Sequence, residues 1–97
     1  MFFMVFVITD NNPERLRKLS ESVCKTYPGC VIHEFVDPMM SAKYICNNHV
    51  DIVLVEENMR PVDGAALQKV LNIHKPELPV IILPDNVDEA FPVRIME

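Results

Sequence analysis

Glycine occurs at only two positions, Gly29 and Gly64, and neither GxxxxGK[ST] nor GxGxxG is present. A glycine-rich loop that cradles phosphate is therefore excluded, and with it the common nucleotide- and dinucleotide-binding enzymes. Cysteine is nearly as scarce. Cys24, Cys30 and Cys46 make an odd count without CxxC spacing, which supplies neither a disulfide framework nor a zinc knuckle. Reduced, packed thiols are expected, as in a cytoplasmic protein. Positive charge is also short. Nine Lys and Arg stand against 14 Asp and Glu, a net charge of −5, and the basic residues form no cluster, so direct binding of nucleic acid by this segment is not expected. The opening MFFMVFVITD is apolar but too short to cross a bilayer and lacks the basic start of a signal peptide. It reads as a buried first strand, with no membrane segment. His33, His49 and His74 are scattered along the chain and suggest no metal site.

What remains is the composition of an ordinary soluble domain, 49% hydrophobic and 24% charged over 97 residues, enough for one small domain over 1–97 and not for two. Phe2 to Ile8 is a continuous apolar run, as expected of a strand covered on both faces. Asn12 and Pro13 then open a helix that carries Leu16, Leu19 and Val23 inward and stops at Pro28-Gly29. Cys30 to Phe35 reads as a second strand. Asp37-Pro38 opens a second helix with Met39 or Met40, Ala42, Ile45 and Cys46 on its inward face. Asp51 to Val55 is a third strand, followed abruptly by Glu56-Glu57-Asn58. After the loop Arg60 to Gly64, Ala65 to Ile73 is helical with Ala66, Leu67, Val70 and Leu71 as its apolar set. Val80 to Leu83 is a fourth strand, and a short helical stretch starts near Val87. Strands alternating with amphipathic helices predict a parallel sheet with helices on both faces. Function in such sheets gathers at the carboxyl ends of the strands. Asp10-Asn11 follows the first strand and Glu56-Glu57-Asn58 the third, so these are the polar clusters to explain. The plainer alternatives are helix caps for Asp10 and Asn11 and solvated loop acids for Glu56 and Glu57.

Three stretches carry a resemblance that spans essentially the whole chain. VITDNNPE is similar to an acidic pair after a first strand. DIVLVEENMRPVDG matches, at the same length, a strand ending in an acid with aspartate-glycine beyond it. ELPVIILPDN is similar to a fourth strand. Together they resemble the receiver domains of two-component response regulators. The resemblance implies a flavodoxin-like, doubly wound α/β fold with strand order 2-1-3-4. It also implies a phosphoacceptor at Glu56, an acidic pocket of Asp10, Asn11 and Glu56, Mg²⁺ held by Asp10, Glu56 and the backbone of Asn58, and a switch residue at Pro84.

The match departs where the family's chemistry lives. The second metal carboxylate has become the neutral amide of Asn11, and the phosphorylated aspartate has become Glu56, whose extra methylene displaces its carboxylate outward. The hydroxyl that bonds the phosphoryl group has become Pro84. The family's fifth strand, with its lysine, and its fifth helix have no counterpart before Glu97, so the domain is read as truncated. Each lost donor or ligand is commonly worth ~2–4 kcal/mol of transition-state stabilisation. No catalytic residue and no cofactor is expected, with any Mg²⁺ site weakened. The implied function is a pseudo-receiver that signals without phosphorylation, contacting a protein partner or a second copy through its strand-four and helix-four face. The alternative is a phosphotransfer-active receiver, or a fragment of a longer transcriptional regulator.

Overall fold

The computed structural model describes residues 3–84. In chain order the elements are β1 (Val5–Thr9), α1 (Pro13–Thr26), β2 (Val31–Phe35), α2 (Pro38–Asn47), β3 (Ile52–Glu56), α3 (Gly64–His74) and β4 (Val80–Leu83). The strands pair in parallel in the order β2-β1-β3-β4. This is the flavodoxin-like doubly wound arrangement that the resemblance implies. Among the described residues the sheet has four strands and β4 lies at one end of it. The helical stretch expected from Val87, with Phe91 and Ile95, lies outside the described residues.

Alternation of side chains along each strand divides the core between the two faces. Phe6, Ile8, Ile52 and Leu54 pack with Leu16 and Val23 of α1. Val7, Val53 and Val55 point to the other face, against Ile45 of α2 and Leu67 and Leu71 of α3. The helix starts obey local capping chemistry. Asn12 accepts hydrogen bonds from the backbone N–H groups of Glu14 and Arg15, Asp37 from that of Met39, and Asp63 from that of Ala66. Each places an oxygen on donors that have no partner within the helix. Gly64 is required by crowding. A Cβ there would stand 2.7 Å from the backbone oxygen of Glu56, closer than side-chain carbons come to any backbone atom.

Three expectations about packing are corrected. On α2 the buried positions are Pro38, Ser41 and Ile45, while Met39, Met40 and Cys46 are exposed and Ala42 is half-buried. Ser41 takes the inward place because its hydroxyl hydrogen-bonds the Thr9 hydroxyl at 2.7 Å, which satisfies both groups inside the fold. On α3, Val70 likewise faces solvent. The thiols are also less packed than expected. Cys24 and Cys46 are exposed, and Cys30 is half-buried. No helix among the described residues is long and apolar enough to cross a membrane.

Cys30 follows the tight turn that ends α1. Its N–H donates to the Tyr27 carbonyl at 3.2 Å, and Gly29 adopts φ +87°, the backbone a Pro-Gly type II turn demands. The turn folds Cys30 back beside Cys24. Burial pushes the Cys30 thiol up, and the neighbouring Cys24 pushes it further. A raised thiol is less often the reactive thiolate. In an iodoacetamide time course at mildly alkaline pH, followed by peptide mass spectrometry, Cys30 will therefore alkylate more slowly than Cys24 and Cys46. Equal rates at all three would contradict this environment.

Candidate functional site

The register of β1 against β3 builds the site. Thr9 pairs with Val55, so the next residues, Asp10 and Glu56, come side by side at the carboxyl edge of the sheet. By the same alternation that sends Ile8 and Leu54 to the α1 face, both carboxylates turn towards α1. Both are buried, Asp10 at 2% and Glu56 at 6% exposure. Glu56 is therefore not a solvated loop acid, whereas Glu57 is exposed. The longer arm of Glu56 does not carry its charge into solvent.

A residue with no counterpart in the sequence motifs closes the pocket. Arg15, in the first turn of α1, reaches back over the strand ends. Its Nε donates to Asp10 Oδ2 at 2.7 Å and its Nη2 to Asp10 Oδ1 at 2.9 Å. The same Nη2 reaches Glu56 Oε1 at 3.2 Å. The remaining Glu56 oxygen, Oε2, accepts the Asn58 backbone N–H at 2.5 Å, and Asp10 Oδ1 also accepts that of Asn12 at 2.9 Å. Every carboxylate oxygen in the pocket is thus engaged by nitrogen donors. Among the described residues no buried side-chain nitrogen or oxygen is left without a hydrogen-bond partner. The signal that could have pointed to Arg15 is its place, because helical side chains lean towards the helix N-terminus. A first-turn arginine five residues after a strand-end aspartate leans towards that aspartate.

Asn11 is neither a helix cap nor a ligand in this arrangement. Asn12 caps α1, while Asn11 is a clamp between loops. Its Nδ2 donates to the carbonyls of Val36 at 2.8 Å and Arg60 at 3.0 Å, and its Oδ1 accepts the Arg60 N–H at 2.6 Å. It joins the loop after β2 to the loop after β3. Pro84 is exposed just past β4, one residue beyond Leu83, the register partner of Glu56. It offers the pocket neither a hydroxyl nor an N–H.

The structure thus brings Asp10, Glu56 and the Asn58 backbone together and turns the Asn11 side chain to another task. This donor set does not fit Mg²⁺, which takes oxygen ligands in strict octahedral geometry. The two carboxylates are spent on one guanidinium, and Asn11, where the family carries a second metal carboxylate, presents an amide whose oxygen accepts the Arg60 N–H. Among the described residues no three His, Cys, Asp or Glu side chains group as a metal set. His33 bonds the Tyr44 hydroxyl at 3.1 Å and His49 pairs with Asp51 at 3.0 Å.

Compared with known protein families, residues 5–97 match the response regulator receiver domain. No curated protein sequence matches the chain. The fold is similar to the signal receiver domain of an HD domain-containing protein from Pseudomonas fluorescens, with a TM-score of 0.78 at 17% identity over 90% of this chain and 68% of that one. A response regulator receiver domain protein from Clostridium thermocellum gives a TM-score of 0.78 at 15% identity, over 84% of this chain and 65% of that one. The RcsB response regulator of Salmonella typhimurium gives 0.75 at 23%, over 89% of this chain but 44% of the RcsB chain. At these identities the likeness speaks for the fold alone.

Asn11 yields a direct test. Asn11→Asp restores the carboxylate of the family pattern by exchanging one nitrogen for oxygen, yet it turns that oxygen on the carbonyls of Val36 and Arg60. These bonds are solvent-exposed, so we expect a loss of about 0.5–1.5 kcal/mol in urea unfolding, the net worth of a hydrogen bond given up to water. An unchanged or higher midpoint would show that the clamp does not hold these loops.

Proposed function

Because the chain belongs to the response regulator receiver domain family, its match running over residues 5–97, we propose that this signal-transduction module works without phosphorylation and through protein–protein contact. One observation carries the proposal: the side chain at the phosphoacceptor position, Glu56, is buried with both carboxylate oxygens already engaged, by Arg15 and by the Asn58 N–H. Phosphoryl transfer draws its rate from positioning and from cations and donors aimed at the transferring group. Here the strand-one carboxylate is paired with Arg15, Asn11 is committed to the loops, and Pro84 replaces the hydroxyl. Mg²⁺ has no ready set of ligands, and no catalytic role falls to these residues. The charge of Glu56 acts within the fold, as one half of an ion pair. Incubation with acetyl phosphate and Mg²⁺, or with beryllofluoride, will leave the intact mass unchanged and give no saturable NMR shift at Glu56. Stoichiometric modification there would overturn the proposal in favour of a phosphotransfer-active receiver.

The contact surface we assign is the strand-four face. β4 ends the described sheet, and Val80, Ile81 and Ile82 are only half-buried there. Apolar strand edges associate readily, either with a partner or with a second copy. Sedimentation velocity should show self-association that rises with concentration and is lost in Ile81→Lys. A wild-type monomer that also fails to protect β4 amides from hydrogen exchange when a partner is bound would remove this surface from consideration.

A further inference from the structure

The acidic pocket holds two buried carboxylates, and such a pair needs positive charge beside it. Three sources are available in principle: a proton, a divalent cation, or a side chain. The geometry supplies the third. The Arg15 guanidinium grips Asp10 with two parallel bonds of 2.7 and 2.9 Å and reaches Glu56 at 3.2 Å. The fork shape of the group matches a carboxylate as a spherical ion cannot.

The surrounding backbone aims it there. Asp10 Oδ1 holds the Asn12 N–H, and Asn12 Oδ1 in turn holds the N–H groups of Glu14 and of Arg15 itself at 3.0 Å. The residue that receives the guanidinium therefore also fixes the cap from which the guanidinium springs. The positive end of α1 faces the same two carboxylates and adds to their stabilisation.

From this arrangement we infer that Arg15 is a resident counter-ion, occupying the place of a divalent cation between Asp10 and Glu56 and keeping the pocket closed to Mg²⁺. The inference deepens the phosphorylation-independent reading of the same site and rests on it. The divalent cation is excluded by competition for Asp10 and Glu56. Removing the guanidinium alone, with both carboxylates intact, should therefore open a site.

The test is a Mg²⁺ titration of the full chain followed by amide NMR, for wild type, Arg15→Gln and Arg15→Lys. Arg15→Gln should give saturable shifts at Asp10, Glu56 and Asn58, with an apparent affinity at least about tenfold tighter than wild type, the scale on which one nearby charge acts. Arg15→Lys, which keeps the charge but loses the fork, should bind Mg²⁺ more weakly than Arg15→Gln. Equal responses in wild type and Arg15→Gln would overturn the inference, as would a folded Arg15→Gln with no saturable response. Should Arg15→Gln unfold on its own, Mg²⁺ should restore its folded spectrum through binding to the native state alone, and failure to do so would equally overturn it. No phosphoryl donor is present in this titration. Its failure speaks to the guanidinium, whereas acetyl phosphate modification of wild type speaks to the signalling mode.

Discussion

Two carboxylates one strand apart at the edge of a parallel sheet are the constraint around which this end of the molecule is organised. Neighbouring strands lie about 5 Å apart, and at that distance two like charges near a protein surface repel by about 3 kcal/mol. The register of Thr9 against Val55 leaves Asp10 and Glu56 no room to separate along the strands. What stands near them relieves that repulsion: the first turn of α1, the guanidinium it carries, and the N–H groups of Asn12 and Asn58. The loop after β3 is then tied by Asn58 at one point and by Asn11 at another. The geometry of this edge follows from neutralising the pair.

Much of the fold was legible in the sequence because its cues are local. Asn12, Asp37 and Asp63 are short polar side chains ahead of Pro13, Pro38 and Gly64, and each caps the helix it precedes. The apolar runs around Val7, Val53 and Ile81 become strands of one parallel sheet, in the order that the resemblance to receiver domains implies. The inward face of α2 was legible only in part. Hydrophobic periodicity favours Met39 or Met40 with Ala42, Ile45 and Cys46; Ile45 is buried as expected, but the helix is rotated so that Ser41 enters the core beside it. Its inclusion depends on the Thr9 hydroxyl, 32 residues away in the chain, which no periodicity can report.

The site was legible in its acids and not in its base. Asp10 and Glu56 follow from strand ends in a doubly wound sheet, and the structure places them together. Asn11 reads from sequence as a ligand gone missing, yet its amide has work that a carboxylate could not do, donating to two carbonyls while accepting from an N–H. Arg15 belongs to no motif. Its role emerges only once helix α1 is docked against the sheet and the direction of its first-turn side chains is known.

An ion that is part of the chain differs from one drawn out of solution. Tethered a few residues from Asp10, the guanidinium is present at the high local concentration that any short linkage confers, and its charge persists at any pH a cell reaches. The counter-ion of the pocket therefore need not be drawn from the surroundings. A pocket filled from solution reports what the solution contains, whereas this one, wired to its own cation, holds a fixed setting written into residue 15.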